Sequence, residues 1–278
     1  MPMTGQEGTR EGKREDAIDT TVVQPARRYN YWLGGKDNFA VDRESGDLIA
    51  KTFPTVRIAA IENRRFLQRA TQYLAEAGIR QFLDVGTGLP TADNTHEVAQ
   101  RIAPESRVVY VDNDPMVMMH AQALLTSTPE GRTAYIEGDL REPASILDRP
   151  ALRDTLDLSQ PVGLMLVAVL HFIHGQDEGK AIVREMVDAL APGSFLVATN
   201  ATKDFATPMG ETVYQAMLAS GKLDMFLRSQ AEFAEMFDGL ELVDPGVVVC
   251  SEWRSEHEPK PRPQPADVAV YGGVGKKA

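Results

Sequence analysis

The stretch FLDVGTGLPT, residues 82–91, decides the fold. Its apolar Phe82, Leu83 and Val85 suit a short buried strand. Asp84 falls inside that strand, near the end where a parallel sheet receives ligands. Gly86 and Gly88 then allow a tight turn with backbone close to a ligand. A carboxylate buried there is costly unless something pairs with it. A ligand ammonium, a ribose hydroxyl or local backbone amides would serve.

Further strand ends follow at regular intervals. RVVYVDND, residues 107–114, is a β-branched run ending in Asp112, 28 residues (112 − 84) after Asp84. That interval holds one turn, one helix and one strand, the content of a βαβ unit. An acid ending the second strand can accept hydrogen bonds from both ribose hydroxyls. TAYIEGDLRE, residues 133–142, reads as a strand ending in Gly138-Asp139-Leu140, 27 residues (139 − 112) further on. VGLMLVAVLHF, residues 162–172, is a fourth, long apolar strand with Ala168 and His171 toward its end. Strand ends so spaced can share one crevice outside the sheet.

Two nucleotide classes compete for that crevice. A dinucleotide site wants G-x-G-x-x-G or G-x-G-x-x-A. Here Thr91 stands in the third small position, with Pro90 before it. A pyrophosphate also prefers a helix N-terminus without a carboxylate nearby. Asp84 lies two residues before the first glycine, so a ligand carrying positive charge suits the site better.

The D-x-G-x-G turn, the Asp112 strand end and the Gly138-Asp139-Leu140 turn resemble the three S-adenosylmethionine (SAM) motifs of class I methyltransferases. The segment PARRYNYWLGGKDNFAVDRE, residues 25–44, joins LDVGTGLPTADNTHEVAQ, VVYVDNDP, LMLVAVLHF and PGSFLVATN. Together they resemble an actinobacterial family of SAM-dependent methyltransferases long catalogued as a domain of unknown function. The resemblance runs from about Asp19 to the end of YGGVGKK. The N-terminal signature is particular to that family, whereas the SAM motifs belong to the wider superfamily.

That resemblance implies an α/β, Rossmann-like fold. Its sheet would be mostly parallel and seven-stranded, with an antiparallel C-terminal edge hairpin and helices on both faces. It implies SAM as cofactor, S-adenosylhomocysteine (SAH) as product, and an unidentified, small-molecule methyl acceptor. The expected cofactor residues are Asp84, Gly86 and Gly88, Asp112 with Asn113 for the ribose, Asp139 and Leu140 for the adenine, and Ala168. His171, with a side chain that titrates near neutrality, is the candidate general base; a loop hydrogen bond or a cofactor contact is its alternative. Asp114 is an alternative to Asp112, or a cap for the helix that Pro115 begins. Two rival functions stay open: a SAM-binding sensor or partner protein without catalysis, and an NAD-dependent oxidoreductase, which Thr91 opposes.

Composition sets bounds. The chain has 278 residues, 43% of them hydrophobic, enough for one large domain. It has no apolar run of about 18 residues, so no transmembrane helix is expected. Residues 1–17 lack a signal-peptide core and read as a solvated, disordered tail. A net charge of −11 disfavours broad nucleic-acid binding. The basic groups Arg27/Arg28/Lys36 and Arg57/Arg64/Arg65 read as solvated faces. The single cysteine, Cys250, beside Val247, Val248 and Val249, reads as a buried strand thiol, and the cytoplasm is the default compartment. The histidines show no zinc spacing and no acidic triplet suggests a divalent metal, so metal independence is expected. Oligomeric state stays open, a homodimer included.

Residues 18–56 form an N-terminal lid or wrapping segment before a SAM-binding domain over 57–278. Tyr29, Tyr31, Trp32 and Phe39 make this leader unusually aromatic, and Asp37 and Asn38 offer polar contacts beside Lys36. It covers the cofactor and acceptor as a lid, buries its rings in the core, or both. Residues 57–78 read as an amphipathic helix with Ile58, Ile61, Phe66, Tyr73 and Leu74 on the buried face. Asn94 with Glu97 resembles a capping box, which starts the next helix late. A helix over 179–191, a strand over 194–200, a helical insertion over 204–238, renewed strand over 240–250, a stiff proline-rich linker over 258–265 and a final strand over 268–275 complete the chain.

Overall fold

The computed structural model describes residues 18–124, 126–221 and 224–278. The expected N-terminal tail, residues 1–17, lies outside them. Parallel strands β1 (Gln81–Val85), β2 (Arg107–Asp112), β3 (Arg132–Glu137), β4 (Gly163–Leu166) and β5 (Phe195–Ala201) are followed by β6 (Glu241–Leu242), β7 (Val248–Val249) and β8 (Val270–Lys276). The sheet order is β3-β2-β1-β4-β5-β8-β6, with β7 also paired to β8. β8 runs antiparallel to β5, β6 and β7. The order reverses beside β1, so the crevice at a topological switch point opens above β1 and β4.

The fold is the mixed, mostly parallel α/β sheet that the motif spacing implies, with one strand more than seven. The extra strand arises because residues 240–250 split into β6 and β7. Pro245 cannot donate to a ladder and Gly246 takes φ +82, and together they break the run. β1, β2 and β4 are almost wholly buried, as a sheet covered on both faces requires. Phe66, Leu74, Phe82, Val109, Leu164, Val197 and Trp253 belong to one contiguous core. Cys250 sits in that core just past the end of β7, and burial pushes its thiol far up.

Two helices precede the first strand's own helix: α1 (Pro25–Trp32) and α2 (Ala40–Thr52), then α3 (Val56–Glu76). The buried face of α3 differs from the expected one. Ile58 and Ile61 are 40% and 43% exposed, while Val56, Ala59, Ala60, Asn63, Phe66, Leu67, Ala70 and Leu74 are buried. At its start Val56 and Ala60 cluster with Trp32 of α1 on the buried side, leaving Ile58 and Ile61 outward. α4 (Thr95–Ile102) starts late behind an Asn94–Glu97 capping box, as the sequence predicts. α5 (Pro115–Leu124) begins at its proline.

The remaining helices are α6 (Pro143–Leu147), α7 (Pro150–Arg153), α8 (Gln176–Asp188), α9 (Pro208–Ala219), α10 (Gln230–Ala234) and α11 (Pro265–Val268). α9, α10 and a 3₁₀ turn at Glu235–Phe237 fill the span expected to be a helical insertion. Among the described residues, no helix is long and apolar enough to cross a membrane.

Candidate active site

Gly86 and Gly88 both take positive φ, +75 and +69, so the turn after β1 needs residues without a Cβ penalty. Its amides are already spent. Gly86 N and Thr87 N donate to Val111 O at 2.8 and 3.2 Å, and Gly88 N donates to Asp112 Oδ2 at 2.8 Å. A pyrophosphate would find two carboxylates here and amides committed elsewhere. The next helix offers no anion site either, because Glu97 Oε2 accepts from Asn94 N at 2.7 Å at its start.

Asp84 is buried at the β1 end, and its Oδ2 accepts from Thr95 Oγ1 at 2.5 Å. Burial pushes its carboxyl up to about 6, against the Thr95 hydrogen bond and the Arg64 charge. Asp112, also buried, accepts from Gly88 N and from Asp114 N (3.0 Å to Oδ1). Burial likewise holds it near 6. Each carboxylate oxygen has a second lone pair, so hydrogen-bonding capacity remains at both. Two buried acids raised by desolvation in one crevice are what a cationic, hydroxyl-bearing ligand would relieve.

Asp114 faces away from this role. It caps α5 through Met116 N (2.9 Å) and takes both arms of Arg27, each at 2.8 Å. Asp139 is more exposed and committed to Arg141, at 2.9 Å to Nε and 2.5 Å to Nη2; that guanidinium holds its carboxyl below the usual range. Asn113 Nδ2 also donates to it at 3.2 Å, and Leu140 is buried beside them.

The fourth strand is shorter than its apolar run implies. It stops at Leu166, and Ala168 takes φ +59, a conformation costly for any residue with a Cβ. Its amide leaves the ladder for Thr199 Oγ1 on β5, at 2.8 Å. Ala168 and His171 therefore do not close the strand; His171 sits on a 3₁₀ turn, Leu170–Phe172. Arg228 organises that turn. It is fully buried, and its five N–H groups donate to Gln176 Oε1, Leu170 O, Asn200 Oδ1, Ile173 O and Gly175 O at 2.8–3.1 Å. His171 is buried, and its Nδ1 has no hydrogen-bond partner among the described residues. Burial, with Arg28 and Arg228 against Asp224, pushes the imidazole down to about 3.

The aromatic leader divides. Tyr29 lines the site, held by Ala60 O (2.9 Å) and Asn63 Nδ2 (3.2 Å), and burial raises its phenol to about 12. Tyr31, Asp37, Asn38 and Phe39 do not line it. Tyr31 bonds Asp47 at 2.8 Å under the Arg57 guanidinium. Asn30 Oδ1 gathers Asp37 N and Asn38 Nδ2 into a local turn, and Phe39 begins α2 beneath Arg27. Nor are Arg27 and Arg28 a solvated face: both are buried, Arg28 donating to Asp224 Oδ2 at 2.8 Å and Ser45 Oγ at 3.2 Å.

These parts share one cavity of about 960 Å³. It takes in Asp84, Gly86, Gly88, Asp112, Asn113, Asp139, Leu140, Ala168 and His171 together. Sequence reasoning missed Arg28, Asn63, Arg64 and Asp224 on its wall. For α3 a signal existed: Val56, Ala59, Ala60, Asn63, Arg64 and Leu67 form one i, i+3, i+4 stripe, polar in its middle. Among the described residues, no group of three His, Cys, Asp or Glu side chains could hold a metal ion.

Comparison with known proteins gives the family. A family model described as S-adenosyl methyltransferase matches residues 11–278. A DUF574 family protein from Streptomyces avermitilis shares 47% identity over 94% of this chain and 99% of its own, with a TM-score of 0.88. A Thermobifida fusca protein, provisionally named a methyltransferase, shares 41% over 94% and 98%, with a TM-score of 0.84. The fold alone is shared with magnesium protoporphyrin IX methyltransferase from Synechocystis PCC 6803, solved with SAH bound: 11% identity, 90% and 93% coverage, TM-score 0.50. No curated protein matches the sequence. The chain belongs to the S-adenosyl methyltransferase family.

Proposed function

We propose that this protein transfers the methyl group of SAM to a small-molecule acceptor, with the cofactor lying across the ends of β1, β2 and β4. The observation that carries this reading is the glycine turn. Its amides are consumed by Val111 O and the Asp112 carboxylate, and two buried acids stand where a phosphate would have to sit. A phosphate-free ligand with cationic groups and a ribose fits those donors and acceptors; a dinucleotide does not.

Bound SAM would supply an electrophilic methyl group on a sulfonium leaving group. The chain's own residues do the rest. Asp112 accepts the ribose hydroxyls. Gly138 and Leu140 flank the adenine, with Asn113 and the Arg141-held Asp139 at the rim. Asp84 faces the amino-acid ammonium, and Arg64, which Asn94 Oδ1 steadies at 2.9 Å, faces the carboxylate. Gly88, with open space where a Cβ would stand, permits close approach. Ala168 brings backbone toward the reacting centre, and His171 is the group placed to receive the acceptor's proton. Catalysis then rests on positioning and on exclusion of water. The buried, unpaired Cys250 fits a reducing compartment, and we read the protein as cytoplasmic.

Calorimetric titration with SAH, SAM and NAD tests the cofactor assignment. SAH and SAM should bind and NAD should stay silent. NAD binding with both sulfur ligands silent would overturn it.

A further inference from the structure

The cavity extends well beyond the cofactor groups, into a chamber between α1, α2, the His171 turn and α9. Its volume sits near the top of the roughly 300–1,000 Å³ that single small-molecule sites occupy, so it has room for a second molecule. The walls of this half are apolar and aromatic. Trp32, Phe53 and Phe172 come from three separate elements, and Met209, Val213 and Met217 form an i, i+4, i+8 stripe on α9 facing the same space. Met209 is 72% exposed, an apolar side chain at an open mouth rather than in a core.

The charges on this side are matched. Arg28 is paired with Asp224, and Lys203 lies 4.0 Å from Glu211. An ionic ligand would enter with no opposite charge waiting for it, and desolvation would oppose it. Aromatic walls favour a flat ring over a flexible chain. Two polar atoms on this wall lack a partner among the described residues: Arg28 Nε, and His171 Nδ1, which lies within the field of Arg28. A buried polar atom left open at a site marks a group waiting for a ligand.

We propose that this chamber binds an uncharged, ring-bearing small molecule and that a phenol or enol hydroxyl on it is the methyl acceptor, an inference that rests on the methyltransferase reading of the neighbouring site. The hydroxyl oxygen's lone pair forms the bond to the methyl carbon, the carbon–sulfur electron pair stays on sulfur, and the hydroxyl proton leaves through the His171 imidazole to water. A buried, weakly basic imidazole cannot ionise an aliphatic alcohol. A phenol is far more acidic, near pKa 10 as in a tyrosine side chain.

Calorimetry on the SAH-saturated protein tests this with four probes of equal ring size: 1-naphthol, decahydro-1-naphthol, 1-naphthoate and 1-naphthylmethylammonium. 1-Naphthol should bind at least about tenfold tighter than either ion. Met209→Asp, at an exposed position, should weaken 1-naphthol about tenfold and leave SAH affinity within about twofold. With SAM bound, 1-naphthol should gain an O-methyl group and decahydro-1-naphthol should not. Equal or tighter binding of either ion, methylation of the aliphatic alcohol as fast as the phenol, or SAH binding with all four probes silent would each overturn the proposal while the methyltransferase reading stands. Naphthol binding with SAH silent would overturn that reading, and the methyl-acceptor assignment with it.

Discussion

Arg27 and Asp114, 87 residues apart, form a bidentate ion pair with both arms at 2.8 Å and both side chains 1% exposed. The pair pins α1 to the loop that follows Asp112, so the leader is bound to the cofactor crevice by a sealed charge contact. Asp19 O takes the remaining Arg27 arm at 2.8 Å.

Breaking that pair from one side strands a buried charge, which costs about 3–5 kcal/mol. Arg27→Gln should lose stability of that order in urea unfolding. The double variant Arg27→Gln/Asp114→Asn should recover most of it, since neutral amides can hydrogen-bond each other and the Asn still caps α5. A single variant within about 1 kcal/mol of the parent would show the pair to be energetically idle.

Arg228 poses a different test, because its five acceptors are all neutral, three backbone carbonyls around the His171 turn and the side-chain oxygens of Asn200 and Gln176, with no carboxylate. Arg228→Met removes a donor from the carbonyls of Leu170, Ile173 and Gly175; Leu170 O and Gly175 O keep the Ile173 and Gly179 amides, and Ile173 O is left unsatisfied at a cost of about 1–3 kcal/mol. Arg228→Lys, with three donors in place of five, should restore part of the loss. Hydrogen exchange gives a local readout: the Phe226 amide, which donates to His171 O at 2.6 Å, should exchange faster in the Met variant. Unchanged protection there would refute the claim that Arg228 positions the His171 turn.

The parallel sheet was legible because each strand end announces itself: Asp84-x-Gly-x-Gly, Asp112 before Pro115, and Gly138-Asp139. Local chemistry dictates those turns, so spacing alone orders them. The fourth strand misled because LMLVAVL, residues 164–170, is apolar throughout, and nothing local reveals that Ala168 turns left-handed; that depends on Thr199, 31 residues away. Arg27, Arg28 and Arg228 were unreadable for the same reason. Their burial is decided by Asp114, Asp224 and a set of distant carbonyls, and an arginine with a distant partner looks like any surface arginine. The leader's aromatics were legible as a lid or as buried rings, but which of Tyr29, Tyr31, Trp32 and Phe39 reaches the cavity depends on how α1 rotates over α3, and of these four only Tyr29 and Trp32 do.

The two turn glycines should separate stability from binding. A Cβ on Gly86 would stand 2.6 Å from Val169 Cγ2 as well as at positive φ, so Gly86→Ala should destabilise the fold by about 2–4 kcal/mol. A Cβ on Gly88 meets nothing within 4 Å, leaving only the backbone cost of about 1–2 kcal/mol. Gly88→Ala should therefore melt closer to the parent yet bind SAH about tenfold or more weakly, since the methyl would occupy cofactor space. If Gly88→Ala binds SAH normally, the cofactor does not approach this turn.

Asp84 links stability, pH and binding in one substitution. Its folded carboxyl is raised to about 6 from 3.8. Between those values the folded chain holds a proton that the unfolded chain has released, so this group's contribution to stability falls as pH rises through that window and is flat above it. Asp84→Asn removes the titration while keeping the shape. The variant should match the parent near pH 4 and exceed it by about 2–3 kcal/mol at pH 8. Binding should move the other way. At pH 8 the variant should hold SAM about tenfold more weakly, the size of one charge-assisted contact. In the parent, SAM affinity should decline as pH drops below about 6. In the variant the decline should be shallower but present, because Asp112, also near 6, still titrates. A variant that gains stability at pH 8 and keeps full SAM affinity would leave Asp84 as a buried, costly carboxylate with no ligand to justify it.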